Sequence, residues 1–302
     1  MTPGLTIVVP YFKKRFLEDA LRSLAAQTEV EFTVILADDC SPEPAEDLFR
    51  SHFPDARHRY VRFPENLGRS SVIQHWNRAV RLGSTSWAWL FSDDDVLEPG
   101  CVAALAKATG NFTDSGAGEE VFRFDSRTID AASTIVHDNI PHPDFETARE
   151  FSLARFKTPR HLFAQDHAFL RRAFDREGGF VDLPLAWFSD DASWTAFGAT
   201  AGIRTIRGPK VLWRDSGINL SATNPALAAK KWDAFLKYLH WLETRFPDAA
   251  YRTELWPSAA SWAHGVIEPC GGRIPLRAAL RVWFTFARKT HSRKFSLLRR
   301  LV

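Results

Sequence analysis

Four short apolar runs alternate with amphipathic segments in the first third of the chain. The runs, at residues 5–9, 32–37, 59–63 and 87–91, have the length and the β-branched or aromatic content of buried strands. Between the first two runs, apolar residues recur at helical spacing at Leu17, Ala20, Leu21 and Leu24. This alternation predicts an α/β fold with a mostly parallel central sheet.

Polar and aromatic side chains follow each predicted strand. Tyr11 follows the first strand and Asp38-Asp39 the second, while residues 66–69 and 93–95 follow the third and the fourth. The carboxyl ends of parallel strands form the binding crevice of open α/β sheets. We therefore expect these side chains to share one site.

Asp93, Asp94 and Asp95 are three consecutive carboxylates at the end of the fourth predicted strand. Anions at such a position repel one another unless a cation joins them, and Mg²⁺ or Mn²⁺ binds carboxylate and phosphate oxygens. The alternative is a solvated acidic turn or a helix N-cap, because Asp is favoured at both. The triplet by itself leaves both interpretations open.

Composition and length indicate a globular cytoplasmic protein. The 302 residues allow about two domains, or one large domain with an appendage, and 45% hydrophobic residues supply a sizeable core. The three cysteines are far apart without zinc or redox spacing, which predicts free thiols in a reducing compartment. No signal peptide and no run of ~18 apolar residues is recognised, so the expected location is the cytoplasm.

The C-terminal part is predicted to be helical and basic. Apolar residues recur at helical spacing over residues 232–246, so we expect a main domain at residues 1–222 and a helical region at residues 223–302. Residues 272–302 carry nine Lys or Arg and no Asp or Glu, whereas the net charge of the whole chain is only +3.

The basic tail contains an amphipathic helical pattern. Its apolar face is predicted to contain Leu276, Leu280, Trp283, Phe284 and Ala287, with Arg277, Arg281 and Arg288 on another face. Such a helix either binds an anionic membrane surface, which makes the protein peripheral on the inner face of the membrane, or packs as a terminal helix with a solvated face. The sequence contains no nucleic-acid-binding motif, so we expect no nucleic acid partner.

Five short motifs, in this order, resemble those of family 2 glycosyltransferases. They are IVVPY at 7–11, ADDCS at 37–41, NLGR at 66–69, FSDDDV at 91–96 and SDD at 189–191. The resemblance covers roughly residues 4–222 and implies the GT-A nucleotide-diphospho-sugar transferase fold. It also implies an inverting enzyme of cell-surface polysaccharide synthesis that moves a sugar from a nucleoside-diphosphate sugar to a saccharide or lipid-linked acceptor.

The resemblance implies that residues at the strand ends bind the donor. Tyr11, next to Pro10, stacks on the nucleobase, Asp39 accepts a hydrogen bond from a base N–H group, and Arg69 reaches the nucleotide or the diphosphate. The full implied donor-binding set is Pro10, Tyr11, Asp39, Arg69, Asp93 and Arg214, with Asp93 near ribose or water and Arg214 near phosphate. Cys40 replaces the usual glycine of the family, so this turn is expected to avoid positive φ.

The two acidic motifs imply a metal site and a general base. Asp94 or Asp95 holds Mn²⁺ or Mg²⁺, which binds both phosphates and stabilises the leaving nucleoside diphosphate. Asp191, in preference to Asp190, is the general base for the acceptor hydroxyl, whereas the alternative is that both cap a helix. The family often has a histidine in the late loop after this arginine, and residues 215–221 contain none. Three aromatic residues flank this pair, and they either form one wall of an acceptor-sugar site or pack in the core: Trp187, Phe188 and Trp194.

Two other functions remain open. A sugar-phosphate nucleotidyltransferase shares the α/β architecture but needs a glycine-rich loop after the first strand, and residues 11–15 contain no glycine. A non-catalytic nucleotide-sugar-binding subunit is the other possibility. The presence of Asp94, Asp95 and Asp191 together argues against it.

Overall fold

A computed structural model describes residues 1–27, 30–113, 120–217, 225–270 and 276–290. The strands are β1 (Thr2–Tyr11), β2 (Thr33–Asp38), β3 (Arg59–Arg62), β4 (Thr85–Leu90), β5 (Val96–Leu97), β6 (Val121–Ile129), β7 (Ile135–Asp138), β8 (Phe145–Glu146), β9 (His167–Leu170) and β10 (Ile203–Arg214). The helices are α1 (Leu17–Ala25), α2 (Glu46–His52), α3 (Val72–Val80), α4 (Cys101–Ala108), α5 (Ala148–Lys157), α6 (Arg171–Arg176), α7 (Ser189–Phe197), α8 (Ala228–Arg245), α9 (Ala249–Cys270) and α10 (Leu276–Thr290).

One sheet runs through the molecule in the order β3-β2-β1-β4-β9-β6-β10-β5, with β7 beside β6 and β8 beside β10. The four N-terminal strands pair in parallel, as predicted. Beyond β4 the sheet is mixed, because β9 is antiparallel to both β4 and β6, whereas β6 and β10 are parallel. The α/β architecture is therefore confirmed, and the parallel character belongs mainly to the N-terminal half.

The alternation of side chains along β1 explains how helices cover both faces of the sheet. Leu5, Ile7 and Val9 pack in one core together with α1, whereas Val8 points to the other face and packs with Ile73 of α3. The N-terminus of α3 is fixed locally, because the Ser71 hydroxyl accepts a hydrogen bond from the Gln74 amide at 3.2 Å. These contacts hold the carboxyl end of β1 beside the loop that precedes α3.

The C-terminal helices complete a core that they share with α5 and α7. The predicted apolar stripe of α8 is buried, and its side chains pack against Phe156 of α5 and Ala192 of α7. Burial of this stripe therefore fastens the C-terminal helices to the elements that carry the second acidic motif. The predicted domain boundary near residue 222 lies outside the described residues and stays a prediction.

The last described helix, α10, packs through a different face from the one predicted. It buries Ala279, Val282 and Phe286, whereas Leu276 and Phe284 are 54% and 61% exposed. Residues 271–275 and 291–302 of the predicted tail lie outside the described residues. Among the described residues, no helix combines the length and the apolar character that crossing a bilayer requires.

The turn after β2 contradicts one expectation about its backbone. Cys40 has φ = 57°, the left-handed conformation that the substitution of glycine was expected to exclude. Asp38 holds this turn, because its Oδ1 accepts a hydrogen bond from the Ser41 amide at 2.7 Å. The thiols of Cys40 and Cys101 are free, in line with the predicted thiols, and the Cys270 side chain is not among the described ones.

Candidate active site

A cavity of about 770 Å³ lies at the carboxyl ends of the parallel strands. The end of β1, the loop 66–69 and the aspartate triplet line one part of it, and residues 185–191 line another, together with Arg155 of α5. Both acidic motifs of the sequence therefore open onto one cavity. The clustering of polar residues at one edge of the sheet is as predicted.

Hydrogen bonds turn the three aspartates in different directions. Oδ2 of Asp93 accepts hydrogen bonds from the amides of Phe12 and Lys13 at 3.0 and 3.1 Å, which ties the triplet to the end of β1. Oδ1 of Asp95 accepts one from the amide of Arg214 at 2.7 Å. Asp94 lines the cavity between these two anchored neighbours.

Burial and mutual repulsion make the triplet difficult to ionise. Burial, followed by the charge of Asp94, raises the pKa of Asp93 to about 6. The pKa of Asp95 is raised well above its usual range by the same two causes. Burial also raises the pKa of Asp94, which Arg214 and Lys13 partly oppose. A cation at this end of the cavity would stabilise all three carboxylates.

The chemistry of the triplet fits a hard divalent cation, for which the described residues supply part of a coordination shell. No group of three or more His, Cys, Asp or Glu side chains converges as a metal site within the described parts of the chain. Asp93 and Asp95 each use an oxygen to hold the backbone, which leaves Asp94 as the carboxylate best placed for a ligand. The remaining ligands would have to come from water or from phosphate oxygens.

Arg214 packs behind the triplet, and its predicted phosphate contact stays a prediction. The side chain is fully buried and does not line the cavity. Its Nε donates to the Asp94 carbonyl at 2.7 Å, and its Nη2 donates to Asp19 at 3.0 Å. The guanidinium also lies 4.6 Å from the centre of the Phe16 ring. Arg214 therefore fixes the backbone of the acidic loop.

Tyr11 and Phe12 both line the cavity, but Tyr11 is buried and its neighbour Phe12 takes the exposed position. The Tyr11 side chain is fully buried in the core next to α1, and its hydroxyl donates to the Glu43 carbonyl. Phe12 is 40% exposed and lines the cavity. The alternation of β1 contained this signal, because Leu5, Ile7, Val9 and Tyr11 share one face. The nucleobase contact predicted for Tyr11 stays a prediction, and Phe12 is a second candidate for it.

Asp39 has structural partners that occupy its carboxylate. It accepts hydrogen bonds from the amides of Leu67 and Gly68 at 3.0 and 2.8 Å and pairs with Arg78. The absence of a side chain at position 68 is required, because a Cβ there would lie 2.6 Å from Asp39 Oδ2. Asp39 thus positions the loop 66–69. Pro10, Asp39 and Arg69 all line the cavity, and Arg69 is exposed there.

Asp190 and Asp191 lie in the first turn of α7, and both line the cavity. Asp191 is 4% exposed, and its Oδ1 lies 3.2 Å from Nε of Arg155. Burial raises the pKa of both carboxyls, to about 7 for Asp190, where the charge of Asp191 adds to the effect. For Asp191, Arg155 opposes the increase. A carboxylate with a raised pKa next to a cavity is suited to accept a proton.

The aromatic residues near this pair divide between the core and the cavity. Trp194 is buried in the core, where it stacks with His167 at 4.7 Å. Phe188 is 3% exposed, but it contributes to the lining together with the less buried Trp187. A stack of three rings that the sequence did not predict forms another wall of the cavity. The centre of the Phe163 ring lies 4.5 Å from that of Trp213 and 5.6 Å from that of His161. No motif marks these residues, which the fold brings together from distant segments.

Comparison with known sequences assigns the family. The sequence model described as "Glycosyl transferase family 2" matches residues 6–178, more than half of the chain. The chain belongs to this glycosyltransferase family. No curated protein sequence gives a significant match. The predicted family is thus confirmed, and glycosyltransferase activity is the activity that the family supports.

Two solved glycosyltransferase structures share the fold of this family 2 member. S. aureus TarS 1-349 in complex with UDP-GlcNAc matches with a TM-score of 0.67 at 13% identity, over 98% of this chain and 90% of that chain. The mannosyltransferase PcManGT from Pyrobaculum calidifontis, in complex with GDP-Man and Mn²⁺, matches with a TM-score of 0.54 at 18% identity, over 100% and 86%. The match covers 55% of the longer TarS chain. The predicted GT-A fold is confirmed.

Proposed function

We propose that this chain is a metal-dependent, inverting glycosyltransferase that uses a nucleoside-diphosphate sugar. The observation that carries the proposal is that the aspartate triplet and the Asp190-Asp191 pair line one cavity. A transferase needs both a place for the diphosphate and a base for the acceptor, and this cavity offers carboxylates for each. The two similar structures are complexes with UDP-GlcNAc and with GDP-Man, which supports a donor of this class.

In the proposed reaction, Asp191 accepts the proton of an acceptor hydroxyl. The oxygen of that hydroxyl attacks C1 of the donor sugar at the same time. The bond between C1 and the diphosphate oxygen breaks, and the nucleoside diphosphate leaves with the electron pair. Attack on the face opposite the leaving group inverts the configuration at C1. Asp190 is the alternative base, because it also lines the cavity and its pKa is raised to about 7.

The metal site is proposed at Asp94, with Asp95 as the second candidate ligand and Mn²⁺ or Mg²⁺ as the ion. When bound, the ion would neutralise the diphosphate and the crowded carboxylates. Arg214 keeps this loop in place through two hydrogen bonds. Its Nε donates to the Asp94 carbonyl, and its backbone amide donates to the Asp95 carboxylate. Asp93 accepts hydrogen bonds from the Phe12 and Lys13 amides at the end of β1, and its proposed role is to contact ribose or an ordered water.

At the nucleobase end, Phe12→Ala is expected to weaken binding of UDP or GDP roughly 5- to 100-fold, because stacking of a base on an aromatic ring contributes ~1–3 kcal/mol. Isothermal titration calorimetry with Mn²⁺ measures the change. Phe12→Tyr is the matched control and should retain most of the affinity. Unchanged affinity in Phe12→Ala would place the base elsewhere in the cavity.

The proposed acceptor is a saccharide or a lipid-linked saccharide, and the proposed process is cell-surface polysaccharide synthesis. We propose a cytoplasmic location with peripheral binding to an anionic membrane through residues 272–302. The outward face of α10 supports this binding, because exposed Leu276 and Phe284 lie beside exposed Arg277 and Arg288. Arg281 is also exposed but pairs with Asp233 of α8 at 3.1 Å.

The membrane proposal predicts the behaviour of a variant that leaves the packed face of α10 intact. Arg277→Gln, Arg288→Gln and Phe284→Ser together should reduce pelleting with anionic vesicles at least about tenfold, since each basic residue near the surface contributes ~1 kcal/mol. Neutral vesicles and the melting temperature serve as controls. Equal pelleting of both proteins would show that α10 serves only to pack against the helical core.

A further inference from the structure

Arg155 of α5 has an unusual position beside the proposed base. Its Nε lies 3.2 Å from Asp191 Oδ1, and its guanidinium carbon lies 5.6 Å from the centre of the Phe188 ring and 5.1 Å from that of the Trp262 ring. The side chain lines the cavity and is 23% exposed. The two rings and Asp191 thus hold the guanidinium in place before any ligand arrives.

The outer nitrogens of Arg155 remain available to a ligand. Within the described part of the chain, no hydrogen bond joins Arg155 to a protein acceptor, because even the buried Nε only approaches Asp191 Oδ1 at 3.2 Å. Arg214 and Arg78, in contrast, use their guanidinium groups to hold backbone and carboxylate oxygens. An arginine that only neutralised Asp191 would commonly do so with two parallel hydrogen bonds. Here the nearest atom to the carboxylate is Nε, and the donors of Nη1 and Nη2 are not used by the protein.

We infer that Arg155 is an acceptor-binding residue, and that the acceptor carries an oxyanion, either phosphate or carboxylate, near the hydroxyl that receives the sugar. The inference rests on the proposed function and adds the chemical class of the acceptor to it. A guanidinium presents N–H donors in a planar fork that matches the oxygens of a phosphate or carboxylate. A neutral saccharide would leave this oriented, partly desolvated cation without a counterion on its outer side.

The position of Arg155 next to Asp191 also fixes where the anion is relative to the reaction. One side of the guanidinium contacts the base, so a group bound on its outer side places the neighbouring acceptor hydroxyl close to Asp191. The Phe188 and Trp262 rings restrict the side chain to this orientation. Arg155 therefore selects the acceptor by charge and positions it for deprotonation.

The test is calorimetric titration of the full-length protein with glucose 6-phosphate, glucuronate and glucose, with and without saturating UDP and Mg²⁺. Saturating UDP fills the donor end, so the remaining binding reports the acceptor end. At least one of the two anionic sugars should bind about tenfold or more tightly than glucose. The two anionic sugars distinguish phosphate recognition from carboxylate recognition. Arg155→Met should abolish the preference, and Arg155→Lys, which keeps the charge but not the fork, should retain part of it.

Lys157→Met is the matched control, because it removes one positive charge from the same helix at a residue that pairs with Glu254 outside the cavity. It should keep the preference for the anion. The melting temperature of Arg155→Met verifies that the variant folds.

Equal binding of glucose and both anionic sugars to the unaltered protein, or a preference that survives Arg155→Met, would overturn the inference. A loss of UDP affinity in Arg155→Met would assign Arg155 to the donor instead. Failure of the unaltered protein to bind UDP would count against the proposed function alone.

Discussion

Asp191→Asn is expected to lower turnover at least ~10²-fold while it leaves the affinity for a nucleoside diphosphate nearly unchanged. The amide keeps the shape of the side chain and removes its basicity, and general-base catalysis contributes roughly 10²–10⁴-fold. Nucleotide binding should persist, because the proposed metal ligands belong to the aspartate triplet. Turnover is measured by release of nucleoside diphosphate, and affinity is measured by calorimetry.

Asp190→Asn is the matched control for this substitution, because it changes the neighbouring carboxyl in the same turn of α7. It should reduce turnover less than Asp191→Asn does. Near-normal turnover in Asp191→Asn together with a large loss in Asp190→Asn would reassign the base to Asp190. A large loss of nucleotide binding in Asp191→Asn would instead show that this residue binds the donor or is required for folding.

The pH profile of turnover gives a second readout of the same pair. A protonated carboxyl accepts no proton, so a base with a raised pKa loses activity as the pH falls through that pKa. Burial and the charge of Asp191 raise the pKa of Asp190 to about 7, and burial raises the pKa of Asp191. With Asp191 as the base, turnover should therefore rise with pH above the usual range of an aspartate. A rising limb near pH 7 would point to Asp190 as the base instead.

The sequence was most informative where function depends on short local patterns. The aspartate triplet follows β4 at the carboxyl ends of the parallel strands, and the second acidic pair opens α7, as the motifs predict. In each case the signal is a run of neighbouring residues whose position relative to a strand or a helix determines where the side chains lie.

The burial of the Tyr11 side chain follows from the period of β1. The alternation that buries Leu5, Ile7 and Val9 places Tyr11 on the same buried face and leaves Phe12 on the other side. The strand period therefore makes Phe12 the second candidate for the ring that stacks on a base.

Other features depend on contacts between distant segments and have no local signal. Arg214 is buried because Asp19, Phe16 and the Asp94 carbonyl surround it. Arg155 lies between Phe188 and Trp262, and the latter comes from a helix more than one hundred residues later in the chain. Composition and spacing do not reveal the surroundings of Arg214 or of Arg155, because both result from tertiary packing.

The second large effect is expected at the metal site. Asp94→Ala should weaken Mn²⁺-dependent binding of UDP or GDP by at least ~10–100-fold, the loss that is typical even for groups outside the first coordination sphere of a metal. Asp95→Ala should have a smaller direct effect on the metal, because one of its oxygens already holds the Arg214 amide, and it should also lower the melting temperature. Asp47→Ala, an exposed aspartate on α2, removes the same charge outside the cavity and should change neither property.

The most direct measurement is therefore calorimetric titration of the unaltered protein and of Asp94→Ala with UDP and with GDP, each with and without Mn²⁺. The account predicts that at least one nucleotide binds the unaltered protein, that Mn²⁺ strengthens this binding, and that Asp94→Ala removes the effect of the metal. Nucleotide binding that is independent of Mn²⁺ and unaffected by Asp94→Ala would contradict the proposed metal site. No binding of either nucleotide under any of these conditions would contradict a nucleoside-diphosphate-sugar donor of either kind.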